Sequence, residues 1–434
     1  MAERLPFTFL AYRVLTAALT PLSGLLLARR LKRGKEHPER LAERRGIASL
    51  PRPAEPLVWV HGASVGELVA ALPIVERLRA RDFAVLVTSG TVTSAERASQ
   101  QLPAGAFHQF IPLDSPFFVA RFLDYWRPEL ALFVESDLWP NLILGAAERR
   151  IPLILLNGRL SKRSFERWRR APATIEALLA RFDLCLVRSA EDATRFGALG
   201  APRISTTGNL KLDVPPLSAD PNTLAALKMA VAGRPVVVAA STHPDEESAV
   251  VEAHRRLRLE FPRLLTIIAP RHPERGAEVA EIAAGCGLNA AQRSHGTLPN
   301  AATEIYVCDT LGELGLIYRL ASVVFMGGSL VPHGGQNPIE PIKLGAAVVH
   351  GPHVANFADL YRALDQAARA DPVTDPDTLT ARLAELLTDA PARARLAAAG
   401  RRTVDALAGA VDRSMAAIEP YLVQIRLATW TQDA

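Results

Sequence analysis

Three acidic residues and one lysine stand where an α/β protein could use them. Leu57 to Val60 is a short apolar run. The loop His61-Gly62-Ala63-Ser64-Val65-Gly66-Glu67 follows, and then Leu68, Leu72, Val75 and Leu78 recur at helical spacing. Strand, glycine turn and helix start put Glu67 beside exposed backbone N–H groups. A carboxylate there either complements the helix terminus, as first-turn acids commonly do, or acts as a base on a substrate held near Ser64 and Gly66. Glu135-Ser136-Asp137-Leu138-Trp139-Pro140-Asn141 presents two more carboxylates between a strand end and a Pro–Asn helix start. Pro is common in a first helical turn and either acid could cap, but acids at strand carboxyl ends are catalytic candidates. Lys211, in Gly208-Asn209-Leu210-Lys211-Leu212-Asp213, is placed to neutralise a phosphate or a carboxylate.

Other stretches of the same half could hold an anionic substrate. Val87 to Ser94 is a glycine turn with Ser89 and Thr91 among its hydroxyls, a pattern that helix capping also produces. Arg159 and Arg163 open a basic run that reaches Arg170. Such a run is either a solvated face or an anion-binding surface. In the second half, Pro270-Arg271-His272 follows a strand, and Arg271 suits a phosphate. Gly327, Gly328 and Ser329 permit close backbone approach to a ligand. Asn337-Pro338-Ile339-Glu340 opens a helix whose N-terminus could hold a phosphate while Glu340 accepts from ribose hydroxyls. Another turn, Gly351-Pro352-His353-Val354-Ala355-Asn356, comes after the last strong strand.

The elements that must position these residues read as strand, loop, helix, repeated. Candidate strands are Val58–Val60, Ala84–Val87, Leu130–Val134, Leu153–Leu156, Leu184–Val187 and a shorter one near Ile204–Thr206. Their continuous apolar character fits parallel strands buried on both faces. Val214-Pro215-Pro216 and Asp220-Pro221 break the pattern. It resumes with Val236–Ala239, Leu265–Ile268, Ile305–Cys308, Val323–Phe325 and Ala347–Val349, and Pro376 to Leu422 reads helical. The expected class is α/β, with two Rossmann-like domains facing across a cleft, one substrate on each. The expected segments are 1–35, an N-terminal membrane anchor with a basic flank; 36–214, an acceptor-binding domain; and 215–434, a donor-binding domain with terminal helices.

Phe7 to Leu27 is apolar apart from Arg13 and Pro21, and ends in Arg29, Arg30, Lys32, Arg33 and Lys35. The charge follows the apolar run, and Glu3 and Arg4 precede it, which argues against a cleaved signal peptide. A membrane-anchoring helix, spanning or half-inserted, would keep the basic cluster on the cytoplasmic side against anionic lipid; an amphipathic helix packed on the protein is the alternative. Hydrophobic content of 49% excludes wholesale disorder, and a net charge of +5 without a nucleic-acid module argues against nucleic acid as a partner. Cys185, Cys286 and Cys308 are far apart and read as small core residues in a reducing compartment. There is no Walker A motif, hydrolase elbow, strand-linked G-x-G-x-x-G or H-x-x-x-H pair. No metal site and no cofactor are expected, so charge on a leaving phosphate would fall to Arg, Lys and helix ends.

Taken together, HGASVGE at 61–67, ESDLWPN at 135–141, NGRLSKRSF at 157–165, GNLKLD at 208–213, PRHPER at 270–275, GGSLVPHGGQNPIEP at 327–341 and GPHVANF at 351–357 resemble the 3-deoxy-D-manno-octulosonic acid (Kdo) transferases of lipopolysaccharide assembly. The resemblance implies a GT-B glycosyltransferase moving Kdo from CMP-Kdo, a substrate rather than a cofactor, to a lipid A precursor on the cytoplasmic face of the inner membrane. It makes Glu67 the general base and gives Asp137 and Lys211 supporting roles at the transition state. It also places Pro270, Arg271, Gly327–Ser329 and His353–Asn356 around CMP, with Glu340 beside the ribose. The family usually carries Glu-Thr-Glu where this chain has Glu135-Ser136-Asp137, so the second acid is one methylene shorter. A UDP-sugar transferase of the same architecture and a non-catalytic membrane-bound nucleotide-binding protein are the alternatives.

Overall fold

The computed structural model describes residues 6–135 and 137–433; Glu3, Arg4 and Ser136 lie outside them. The chain forms two compact units. One comprises the residues up to Val214 together with those from Leu407 onward, and the other is Pro215–Ala406.

The first unit holds seven strands: β1 (Leu57–His61), β2 (Ala84–Ser89), β3 (Ala106–Phe110), β4 (Leu130–Val134), β5 (Leu153–Gly158), β6 (Leu184–Val187) and β7 (Ile204–Thr206). They pair in parallel in the order β3-β2-β1-β4-β5-β6-β7. β1, β2 and β4 are buried throughout, as strands covered by helices on both faces must be. The order reverses between β1 and β4, which are hydrogen-bonded neighbours with His61 opposite Phe133. Loops leaving the carboxyl ends of such a strand pair diverge and leave a crevice, the usual ligand site of an open α/β sheet. The Glu67 and Glu135 loops are these two.

β3 is absent from the sequence reading. Its Ala-Phe-His-Gln-Phe run is neither apolar nor cleanly alternating, and both of its polar side chains find partners inside the unit. His108 Nε2 lies 2.8 Å from Ser89 Oγ, and Gln109 Oε1 accepts the Trp126 indole N–H at 3.0 Å.

The second unit holds β8 (Val236–Thr242), β9 (Leu265–Pro270), β10 (Ala290–Gln292), β11 (Ile305–Val307), β12 (Val323–Met326) and β13 (Ala347–His350), parallel in the order β10-β11-β9-β8-β12-β13. Its switch point lies between β8 and β12, so the loops after Thr242 and after Met326 adjoin. The short, half-exposed edge strand β10 also escaped the sequence reading.

The last helix, Ala410–Asp433, does not belong where the sequence put it. Ala410, Val411, Met415, Ile418 and Leu422 pack with Val58, Val60, Ile74 and Leu132 of the first unit. The Asp213 carboxylate accepts from the Gly409 and Val411 N–H groups at 2.7 and 2.6 Å and fixes the start of that helix. An apolar helical stripe records that a partner exists, not which sheet supplies it.

The apolar N-terminal run is two helices, Phe7–Ala18 and Ser23–Lys32, bent by 46° around Pro21. No single helix among the described residues is long and apolar enough to cross a membrane, although this bent pair has the length and composition together. Phe9 and Leu27 are buried. Tyr12 donates to Asp114 at 2.9 Å, and Arg13 pairs with Glu148. One side of the pair is thus bound to the first unit, while Phe7, Val14 and Leu25 are 81%, 64% and 76% exposed.

Candidate active site

The helix after β1 spans Val65–Arg79, starting two residues before Glu67. Ser64 caps it, accepting from the Glu67 N–H at 3.4 Å. The Glu67 carboxylate turns back: Oε2 accepts from the Ala63 N–H at 2.7 Å and Oε1 from the Ser64 hydroxyl at 2.9 Å. This is a variant of the capping box, so the structural reading of Glu67 is realised in full. Its chemistry is nonetheless altered. Burial, with Glu135 and to a lesser degree Asp137 nearby, raises the Glu67 carboxyl above the ordinary range against the hydrogen bonds it accepts. Sequence reasoning expected only the helix end, which favours ionisation; the acidic neighbours come from the sheet order.

Glu135 has φ 62° and Asn157 φ 53°, left-handed backbone in two non-glycine residues of one cluster. Strain of this kind gathers where surrounding structure over-determines the chain. Here Asn157 Oδ1 accepts from the Leu210 N–H at 3.0 Å, and its Nδ2 faces Glu135 Oε1 at 3.5 Å. That anchors the segment carrying Lys211, whose Nζ donates to Glu135 Oε1 at 2.7 Å. Burial pushes the Glu135 carboxyl upward, but Lys211, Arg188 and Arg159 outweigh it and hold it below the usual range. Asp137 accepts from the Trp139 indole at 2.7 Å and sits 3.4 Å from His61 Nε2. These contacts overcome its burial and keep it low as well. One raised carboxyl between two lowered ones separates a group able to exchange a proton from two that remain anionic.

His61 and Arg188 went unnoticed as sequence features, yet both touch the carboxylates. His61 is 1% exposed at the end of β1, with Nδ1 3.0 Å from Thr88 Oγ1. Arg188, the first residue after β6, lies 4.0 Å from Glu135. Position at a strand end was their only sequence signal.

The expected acceptor residues separate. Ser64 and Gly66 are exposed at the helix start, and Arg163 is exposed farther along. Arg159 contributes to the charge on Glu135. Thr91 caps the helix Val92–Gln101 through the Ser94 N–H, the capping alternative. Ser89 does not reach a ligand surface: it is fully buried with its hydroxyl on His108, because β2 is covered on both faces.

In the second unit the glycine loop is already occupied. Glu246, 0% exposed, accepts from the Gly328 N–H at 2.6 Å and from the Ser329 and Leu330 N–H groups at 2.9 Å each, and from His243 N–H at 3.0 Å. The N–H groups of this loop are thus held by the protein's own carboxylate. Gly327 and Gly351 serve close backbone packing: a Cβ on Gly327 would lie 2.5 Å from Ser241 O, and on Gly351 2.3 Å from Ser329 O. The helix Ile339–Lys343 is a single turn whose leading N–H is taken by Asn337 Oδ1 at 3.1 Å. Glu340 instead accepts from Asn337 at 3.1 Å. The His353 N–H donates to Ser329 O, and Asn356 donates to His333 O and Gly335 O. Val354 Cα lies 3.1 Å from where a Gly335 Cβ would be, and Ala355 is exposed. The two glycine turns therefore form one fixed surface.

Beside them Pro270 is buried and ends β9, leaving Arg271 and His272 exposed. His243 stacks on His333 at 4.1 Å and lies 6.1 Å from His272. Burial, with His333, His272, Arg271 and Arg275 around it, pushes His243 down to about 4. Several basic groups against an uncharged imidazole make a local potential that favours an anion. No cluster of three or more His, Cys, Asp or Glu suited to a metal ion occurs among the described residues.

Two parallel-sheet α/β units, each with its polar loops at a topological switch point, define a GT-B-like protein. The family model of 3-deoxy-D-manno-octulosonic-acid transferase (kdotransferase) matches residues 39–214. The 3-deoxy-D-manno-octulosonic acid transferase of Haemophilus influenzae is 35% identical over 394 residues, covering 88% of this chain and 92% of its own. A probable mitochondrial transferase of the same description from Arabidopsis thaliana is 38% identical over 373 residues, 83% of each chain. A putative UDP-N-acetylglucosamine 2-epimerase from Listeria monocytogenes shares the fold alone, with TM-score 0.61 and 15% identity over 86% of this chain and 98% of that one. The chain belongs to the 3-deoxy-D-manno-octulosonic acid transferase family and is a glycosyltransferase.

Proposed function

We propose that the protein transfers Kdo from CMP-Kdo to a lipid A precursor, the acylated and phosphorylated glucosamine disaccharide lipid IVA, with inversion and without a metal ion. Glu67 takes the proton of a sugar hydroxyl. That oxygen bonds to the anomeric carbon of Kdo as the bond to the CMP phosphate oxygen breaks on the opposite face. The observation that carries this reading is the raised Glu67 carboxyl, fixed by Ala63 and Ser64 beside the Lys211-neutralised Glu135. A carboxylate whose pKa is raised above the ordinary range is a better proton acceptor than an unperturbed one.

In this reading Asp137 fixes Trp139 and His61 around the acceptor, and Arg159 and Arg163 meet its phosphate. Arg271 and His272 meet the donor phosphate, while Gly327–Ser329, Asn337, Glu340 and His353–Asn356 frame the nucleotide. The exposed apolar side of the N-terminal helices and the exposed Arg29, Lys32, Arg33 and Lys35 support residence on the cytoplasmic face of the inner membrane against anionic lipid.

Glu67→Ala tests the assignment. Turnover should fall by roughly 10²–10⁴-fold, the range for removing a general base, with CMP-Kdo affinity within twofold of wild type. Turnover within a few-fold of wild type rejects Glu67 as the base, and retained anomeric configuration in the product rejects the single displacement.

A further inference from the structure

A groove of about 350 Å³ runs between the bent N-terminal helices and the segment before Phe118. Its apolar lining is Leu19, Leu22, Leu26, Leu113 and Phe118, together with Trp139. Polar groups at its floor are already satisfied. Tyr12 Oη donates to Asp114, Thr16 Oγ1 donates to Tyr12 O and accepts from Asn141, and the Thr20 and Ser115 hydroxyls lie 2.6 Å apart. An apolar occupant would strand none of them.

Trp139 gives the groove its direction. It is 41% exposed, and its indole N–H donates to Asp137 Oδ2 at 2.7 Å. The groove is thus continuous with the carboxylate cluster through one side chain. Arg29, Lys32 and Arg33 are exposed at the end of the second helix, the one that supplies Leu26 to the wall. An apolar slot beside cations and ending at the reacting centre suits an amphiphile with an anionic head.

We propose that this groove is the subsite for one acyl chain of the acceptor lipid, seating the glucosamine headgroup at Glu67 by holding its chain against Trp139. This rests on the lipid acceptor proposed above. Phe7, Val14 and Leu25 lie outside the groove lining and face a bilayer; the groove holds a single chain drawn out of it. Acceptors with short chains then lose the subsite and are poorer substrates.

The test uses the full-length protein, CMP-Kdo, and two acceptors of identical phosphorylated headgroup, one with long acyl chains and one with short. Wild type should show a KM for the short-chain acceptor at least tenfold above that for the long-chain one. Tenfold is the effect of about two buried methylene groups. Ser23→Trp, which fills the groove from a partly exposed position, should bring that ratio near one by raising the long-chain KM. Leu26→Asp, polar on the wall, should do the same, so the result does not depend on one bulky side chain. Leu25→Glu, outside the lining, should weaken binding to acceptor-free anionic vesicles while preserving the ratio.

Equal KM values for the two acceptors in wild type would overturn the proposal. So would a preserved ratio in both groove variants, or Ser23→Trp weakening vesicle binding as much as Leu25→Glu. Wild type that transfers Kdo to neither acceptor identifies a failure of the functional reading itself, and this inference falls with it.

Discussion

Lys211 Nζ lies 2.7 Å from Glu135 Oε1, although two strands, β5 and β6, separate β4 from β7 in the sheet that carries them. The pair bears on Glu67, since after burial Glu135 is the largest influence raising that carboxyl and Lys211 is the chief cation neutralising Glu135.

Removing either partner should therefore move the acidic limb of the pH profile, in opposite directions. Glu135→Gln deletes a negative charge that raises Glu67, so the limb of kcat/KM shifts to lower pH. Lys211→Met leaves Glu135 less compensated, so the limb shifts to higher pH and the rate at pH 7 falls. Profiles measured from pH 4 to 9 check both signs. A purely structural pair would lower the rate without moving the limb.

Arg271→Met should weaken CMP binding by roughly tenfold, the loss of a charge-assisted contact worth about 1.5 kcal/mol, as read by calorimetry. Excess chelator should leave wild-type turnover within twofold, because Arg271, His272 and backbone groups are proposed to meet the phosphate charge. Loss of turnover that Mg²⁺ restores would contradict the metal-free reading.

Glu246→Ala removes the common acceptor of four N–H groups, those of His243, Gly328, Ser329 and Leu330. Each unsatisfied group costs about 1–3 kcal/mol, so stability should drop by roughly 3 kcal/mol or more in urea unfolding. CMP affinity should fall with it as the 328–330 loop loosens. Glu246→Gln keeps one acceptor oxygen but turns an amide N–H₂ toward N–H donors, and should be intermediate.

His108 supplies a test by pH. Burial, with Arg40 and Arg44 adding to it, pushes its imidazole down to about 3, against about 6.5 in an unfolded chain. Above pH 6.5 neither state holds the proton, and stability is unaffected. As pH falls from 6.5 toward 3 the unfolded chain binds a proton that the folded one refuses, and stability is lost at up to about 1.4 kcal/mol per pH unit. His108→Gln should flatten the fall of urea midpoint between pH 6 and pH 4; an unchanged slope would show that His108 does not titrate in this way.

Much of the fold was legible because parallel strands covered on both faces must be continuously apolar. Runs such as Leu130–Val134 declare themselves without any partner in view. β3 did not, since it buries the polar His108 and Gln109, whose partners are Ser89 on the neighbouring strand and Trp126 on a covering helix. The candidate site was legible in its residue types and strand-end positions: Glu67, Glu135, Asp137 and Lys211 all lie in the first unit, Glu135 and Asp137 act on the Glu67 carboxyl, and Lys211 pairs with Glu135. His61 and Arg188 were not, because a single His or Arg at a strand end looks like any other until its neighbours are known.

Sequence alone determined the strand–helix alternation, the acid-bearing loops and the family. Tertiary structure decided which loops adjoin, because sheet order rather than chain order makes β1 and β4, or β8 and β12, neighbours. For that reason Glu246 reaches the N–H groups of the 328–330 glycine loop, and the last helix returns to the first unit. The same long-range pairing gives Glu67 its acidic neighbours. Its local sequence predicts a helix cap, while burial in the folded unit and acids about seventy positions away raise its pKa.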